Sequence, residues 1–336
     1  MKVAILGAAH QHVEYALSEV RHREELELVS AGEPDAALRE RFLGDLSGEG
    51  IPLYDTADEL LAAHDVDVAL IAGIYSERAA QAVAALEAGA HVLADKPLCT
   101  SLEQLERIRA AAETAQRHVS IVFEKRFYPA TLALRRLLRD GALASTAMVA
   151  STGPHKLNQA ARPEWFLNPV TYGGIAGDLP IHDIDLVLDL VAEQAGATPL
   201  EGTVSALVGN ARATEHPGFD DHVSLLLQAG DVPATIEANW LGPEAADVHG
   251  HYRMRVTGAL GTAEVDWAYH RLTATTHDRP TWEEPLGPAQ RPAQYFFDAL
   301  LGGREPAVTT AASLQATEVA LKAQISARDG GAPQGF

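Results

Sequence analysis

The sequence predicts an α/β protein: a doubly wound parallel sheet, followed by an α+β domain built on an open, mostly antiparallel sheet. Two observations predict this. Up to residue 123, short apolar runs alternate with segments of helical periodicity, the rhythm of strand–helix–strand crossovers. From residue 124 onward, strand-like runs follow one another across short turns, as in antiparallel hairpins. The predicted domains are therefore residues 1–123 and 124–336, a division that a chain of 336 residues allows.

The elements follow in order. VAILG (3–7) is a buried strand closed by Gly7, and helical spacing runs from Gln11 to Val20. LELVSAGE (26–33) is a second strand, ending in an acid, and helices are expected at 35–43 and 58–64. VDVALIAGI (66–74) is again apolar throughout, and the Ala-rich stretch 77–89 is a helix stopped by Gly89. AHVLAD (90–95), a helix at 101–117 and HVSIVF (118–123) complete the first sheet. A helix at 129–140 opens the second domain. Strands are then expected at 143–152, 200–210, 221–230, 232–241, 251–258 and 262–268, with a helix at 178–194 among them. Residues 279–292 read as a loop, 291–302 and 311–328 as closing helices, and the final GGAPQG as a frayed end.

Composition excludes several function classes. The net charge is −20, from 26 basic and 46 acidic residues, whereas a nucleic-acid binder needs a basic face. The clusters Arg21/Arg23 and Arg135/Arg136/Arg139 read as solvated helix faces. No apolar run approaches the roughly 18 residues of a membrane span. Cys99 is the only cysteine, so no intrachain disulfide forms, and Met1-Lys2 leads directly into a strand rather than a signal peptide. A cytoplasmic protein is expected, with no membrane or nucleic-acid partner.

In doubly wound sheets the ligand lies beyond the carboxyl ends of the strands. The first such end reads GAAHQH (7–12). Against a dinucleotide fingerprint GxGxxG, only Gly7 is kept; Ala9 and His12 stand in place of the second and third glycines. Glu33, closing the second strand, suits a ribose diol and would repel a 2′-phosphate, so NAD is favoured over NADP. The candidate cofactor-binding set is Gly7, Ala9, His10, Gln11, His12, Glu33, Gly73, Asp95, Lys96, Pro97 and Arg126, with Pro97 a candidate cis residue.

In the second domain, GGIAGDLPIHDIDL (173–186) places four charges among aliphatic residues. On a helical wheel Asp178, His182, Asp185 and Asp189 form one stripe, and Ile184, Val187, Leu188 and Val191 another. Three readings stand. One is a solvated polar face, favoured for Asp185 and Asp189. Another is a shared cation, disfavoured because only HGH (249–251) and HPGFDDH (216–222) offer further ligands; no metal is expected. The third is acid–base chemistry, with His182 taking a proton and Asp178 one turn away orienting it. The segment 153–169 supplies His155, Lys156 and Trp165, polar and aromatic groups suited to a carbohydrate.

Three stretches together resemble the Gfo/Idh/MocA oxidoreductases. AALEAGAHVLADKPL (84–98) is similar to that family's AL-x-aG-x-HV-x-x-EKP segment, with Asp95 in place of Glu. VFEKRFYP (122–129) resembles its crossover, and GGIAGDLPIHDIDL its GG-x-x-x-D-x-x-x-H-x-x-D signature. The usual His after the third strand is missing from AGIYSERAA (72–80), where Ser76, Glu77 or Arg78 stands. The resemblance implies a Rossmann domain and a nicotinamide-dependent sugar, inositol or polyol dehydrogenase, with Lys96, Asp178 and His182 as the catalytic group. Lys96, Asp178, His182, His155, Lys156 and Trp165 are the candidate substrate contacts. A homodimer or homotetramer through the second sheet is expected, since few helices are available to cover it. Rival classes are a non-catalytic NAD- and sugar-binding regulator, an NAD-dependent glycosidase of the same fold and, third, a metal-dependent lyase.

Overall fold

The computed structural model describes residues 1–336. The chain forms two compact units: Met1–Val122 with Val170–Gly173 and Arg291–Thr317, and Phe123–Pro169 with Gly174–Gln290 and Glu318–Phe336.

The first unit holds β1 (Lys2–Ala8), α1 (Val13–His22), β2 (Glu27–Gly32), α2 (Ala36–Gly48), β3 (Leu53–Tyr54), α3 (Ala57–Ala63), β4 (Val68–Ala72), α4 (Arg78–Glu87), β5 (His91–Ala94), α5 (Leu102–Ala115) and β6 (Val119–Ile121). All strand pairs are parallel, in the order β3-β2-β1-β4-β5-β6. β1 and β4 are fully buried beyond Lys2, as apolar runs covered on both faces must be. Chain order reverses between β1 and β4, the place where doubly wound sheets bind ligands. The edge strand β6 is not left open. Val119 N–H donates to Thr310 Oγ1 and Ile121 N–H to Ser313 Oγ, and the Tyr295 hydroxyl donates to the Ile121 carbonyl at 2.6 Å.

The second unit opens with a 3₁₀ segment, Glu124–Phe127, then α6 (Pro129–Arg139), β7 (Thr146–Pro154) and α7 (Glu164–Leu167); after α8 (Pro169–Tyr172), which belongs to the first unit from Val170 on, it continues with α9 (Ile175–Asp178) and α10 (Ile181–Ala195). β8 (Gly202–Gly209), β9 (His222–Ala229), β10 (Val232–Asn239), β11 (Arg253–Gly258), β12 (Gly261–Asp266), β13 (Arg271–Thr276) and β14 (Trp282–Glu283) follow. α11 (Gln294–Leu301), α12 (Thr310–Arg328) and β15 (Gln334–Gly335) end the chain. Nine strands lie in the order β14-β13-β12-β11-β7-β10-β9-β8-β15, antiparallel except for β7 beside β10. One face carries Val149, Leu225, Ile236, Val256 and Val265, all buried. Met148, Leu207 and Leu226 point the other way and are about half exposed (50%, 61% and 55%).

Two expectations are corrected here. The last residues are not frayed: Gln334 and Gly335 pair with Val204 and Thr203, and Phe336 exchanges backbone bonds with Gly202. The helix expected at 178–194 is two helices. α9 ends at Asp178, and Pro180, which has no N–H to continue the ladder, caps α10.

Candidate functional site

In the first unit, the turn after β1 is shaped by close backbone approach. Gly7 has φ +87, and a Cβ there would lie 2.8 Å from Gly73 Cα and 2.5 Å from Gln81 Nε2. Only glycine fits. The N-cap of α1, His12, makes no side-chain capping bond; the Val13, Glu14 and Tyr15 N–H groups donate instead to the carbonyls of His10, Gln11 and His12. Ala9 is buried, while Gln11 is exposed. Glu33, 1% exposed, sits at the carboxyl end of β2; Oε2 accepts the Ala8 N–H at 2.7 Å and Oε1 the Asp35 N–H at 3.0 Å. Burial pushes its carboxyl pKa up, against those two bonds, which favour the charged form. A buried acid at the end of β2 beside a tight glycine turn at the end of β1 fits a dinucleotide: the acid for a ribose, the side-chain-free backbone at Gly7 for the close approach of a pyrophosphate.

Asp95 is the hub of this turn. His12 Nδ1 lies 2.9 Å from Oδ1, and Arg78 Nη2 donates to Oδ2 at 3.0 Å; His10 Nδ1 is 3.5 Å from Oδ2. Arg78, fully buried, also donates through Nε to the Gly73 carbonyl and through Nη1 to the Pro97 carbonyl, and its guanidinium stacks over Tyr75. Lys96, 6% exposed, follows directly, joined to Pro97 by a cis bond. Burial raises the Asp95 pKa, but the charges of His12 and Arg78 outweigh it and hold the carboxyl well below its usual range. Burial first, then the His12 charge, lowers His10 to about 4. His10, His12 and Asp95 bring ligand atoms within 4.8 Å of one another, close enough for a cation. Both carboxylate oxygens are already engaged by His12 and Arg78, so the hydrogen-bonded hub accounts for the group.

In the second unit, three consecutive charges of the 3₁₀ segment meet four residues of α10. Glu124 Oε1 lies 3.8 Å from His182 Nε2. Lys125 Nζ donates to both oxygens of Asp183 at 3.0 and 3.1 Å, and Ser151 from β7 adds a third bond to that carboxylate. Arg126 grips Asp185 through Nε and Nη2 and reaches Asp189 through Nη1. Asp189 also meets Arg135, which with Arg139 holds Glu193. The solvated reading of Asp185 and Asp189 is therefore wrong. Asp185 is 1% exposed, and both are ion-paired, because the 3₁₀ segment brings an arginine to the polar stripe. In the Arg135 cluster only Arg135 is largely covered and ion-paired; Arg136 and Arg139 are exposed, as a solvated face would be. Arg126, expected at the cofactor, has its guanidinium committed to these two aspartates.

His155 Nδ1 bonds the Gly153 carbonyl, and its ring packs 4.5 Å from Tyr252 and 5.3 Å from Trp240. Burial, then the charges of Glu124 and Asp183, push the Tyr252 phenol up, and Lys125 Nζ, bonded to Asp183, lies 5.4 Å from the Tyr252 ring centre. Lys156 Nζ donates to the Ala246 carbonyl, and Trp165 packs edge-on to Phe166. Asp178 is 1% and His182 6% exposed.

Comparison with known proteins decides the family. Residues 1–123 match the model of the oxidoreductase family with an NAD-binding Rossmann fold, and residues 131–264 the GFO/IDH/MocA C-terminal domain. The chain belongs to the GFO/IDH/MocA oxidoreductases. Inositol 2-dehydrogenase 4 of Saccharopolyspora erythraea is 26% identical over 303 residues, 89% of this chain and 82% of that protein. Inositol 2-dehydrogenase of Rhizobium meliloti is 27% identical over 188 residues, 55% of this chain and 53% of that protein. An NAD+ complex of an inositol dehydrogenase homolog from Azotobacter vinelandii superposes with TM-score 0.78 at 18% identity, covering 100% of this chain and 97% of that one. Aldose-aldose oxidoreductase from Caulobacter crescentus superposes with TM-score 0.81 at 22% identity, covering 100% and 99%. As a GFO/IDH/MocA protein the chain carries an NAD-binding Rossmann domain, and the enzyme class is oxidoreductase.

Sequence reasoning missed two groups of this family member. Arg78 stood in the stretch noted as lacking the usual His, but nothing local showed that its side chain reaches Asp95. Glu124 lay inside the recognised crossover segment, but nothing local showed that its carboxylate meets His182.

Proposed function

We propose that the protein is an NAD-dependent dehydrogenase that oxidises one hydroxyl of a sugar, inositol or related polyol. The observation that carries this reading is Lys96: a buried lysine held at the carboxyl end of β5 of an NAD-binding domain, between Asp95 and Pro97, both bonded by Arg78. Bound NAD supplies the acceptor for the hydride. Lys96 holds the substrate oxygen and stabilises the negative charge that develops on it. His182 takes the hydroxyl proton, with Asp178 as its neighbour in the catalytic group. Gly7, Ala9 and the His10–His12 turn carry the pyrophosphate, Gly73 lets it approach, and Glu33 takes the ribose diol, which favours NAD over NADP.

In this reading residues 1–123 bind the dinucleotide and 124–336 the substrate. His155, Lys156 and Trp165 line the carbohydrate. The relatives named for inositol support a polyol. The half-exposed Met148, Leu207 and Leu226 on one face of the second sheet support a homodimer or homotetramer packed through it. A cytoplasmic site of action fits a single buried cysteine. No helix is long and apolar enough to cross a membrane. The test is a panel of inositols, aldoses and sugar acids offered with NAD. Formation of reduced nicotinamide with at least one is expected; none with any removes the reading.

A further inference from the structure

The charged ladder between the 3₁₀ segment and α10 singles out one residue. Lys125 closes on Asp183, and Arg126 on Asp185 and Asp189, so two of its rungs are salt bridges of opposite charge. The remaining rung sets a carboxylate against an imidazole: Glu124 Oε1 and His182 Nε2, 3.8 Å apart, both residues buried. That separation exceeds a hydrogen bond but lies within the range over which opposite charges act on one another. We propose that Glu124 is a positioning residue for the reaction, its carboxylate holding the His182 ring and balancing the imidazolium formed when the hydroxyl proton is taken. The inference rests on His182 being the acid–base group.

The proton bookkeeping closes within named groups. The substrate O–H bond breaks, an imidazole N–H bond forms, and the positive charge appears beside an existing negative one. Of the other ionisable groups nearby, Asp183 and Tyr252 do not take this role. The Asp183 charge is met by Lys125. Tyr252, ahead of β11, has its phenol pushed up by burial and by the charges of Glu124 and Asp183, so it stays protonated. Asp178 ends α9, across the Leu179-Pro180 break from His182. The Phe123 ring packs edge-to-face with the imidazole, 6.0 Å away, and the burial of both Glu124 and His182 limits screening of the pair by water.

Glu124→Gln keeps the shape and removes the charge. An imidazole without its carboxylate is less basic, so the acidic limb of the pH–rate profile for oxidation moves to lower pH by about one unit. In the full-length protein labelled with ¹⁵N-histidine, the His182 signal, assigned by its loss in His182→Asn, titrates at correspondingly lower pH. Glu124→Asp, which keeps the charge, leaves the limb near its wild-type position. A His182 signal that titrates unchanged in Glu124→Gln overturns the inference, as does a limb in Glu124→Asp displaced as far as in the Gln variant. A signal that moves while the limb stays fixed contradicts the acid–base role of His182, and this inference with it.

Discussion

Arg78 Nη2 lies 3.0 Å from Asp95 Oδ2, and the same guanidinium bonds the carbonyls of Gly73 and Pro97. One fully buried side chain thus ties the end of β4 to the segment that presents Lys96. Arg78→Leu leaves the buried Asp95 carboxylate with only the histidines of the turn as partners, and breaking one side of a buried pair costs roughly 3–5 kcal/mol. Urea unfolding at neutral pH measures this loss. A loss under about 1 kcal/mol contradicts the anchoring role.

His10 gives the first unit an acid-sensitive component. Its folded pKa, about 4, lies below the ordinary 6.5 because burial and the neighbouring His12 disfavour its charged form. A depressed folded value means that the stability is fully present above about 6.5 and is lost as pH falls through about 4. Asp95, also depressed, loses its contribution only below its own ordinary value of 3.8, so the two windows separate. His91, lowered to about 4 by burial and His118, acts with the same sign but is untouched in a His10 variant. Unfolding free energies of wild type and His10→Asn are expected to converge between pH 7 and pH 4, by up to about 3 kcal/mol. Parallel curves would show that His10 titrates normally.

Glu33 sets cofactor choice in this account. Glu33→Gln keeps an acceptor and removes the charge, so NAD affinity should fall about tenfold, the value of a hydrogen bond to a charged group. Discrimination against NADP should narrow as well, because the repulsion of a 2′-phosphate is gone. Titration calorimetry with both dinucleotides measures each change. Unaltered affinities would place the ribose elsewhere.

Much of the fold is legible in the residues, for physical reasons. Buried parallel strands such as Val68–Ala72 announce themselves as apolar runs, and the half-buried strands of the second sheet as alternation. β3, β14 and β15 have only two residues each and carry no period. β13 is rich in threonine, which reads as polar despite its strand preference. The candidate site divides in the same way. Lys96 and His182 stand in local patterns. The partners of Asp95, Asp185 and His182 are Arg78, Arg126 and Glu124, distant in sequence, and a helical wheel shows which face a charge is on without showing what meets it. A polar stripe therefore looks solvated until the chain that covers it is in place.

The central claim is that Lys96 and His182 act on one substrate hydroxyl. Single-turnover oxidation by Lys96→Ala, His182→Asn and the double variant, each saturated with NAD and offered the best polyol of the panel, tests it most directly. NAD affinity should stay within about threefold of wild type, since neither residue is assigned to the pyrophosphate or the ribose. Each single variant should lose at least about a thousandfold in rate, and the double variant little more than either, because groups that act as a unit are not additive. Rate losses that multiply in the double variant, or turnover retained in either single one, would contradict the account.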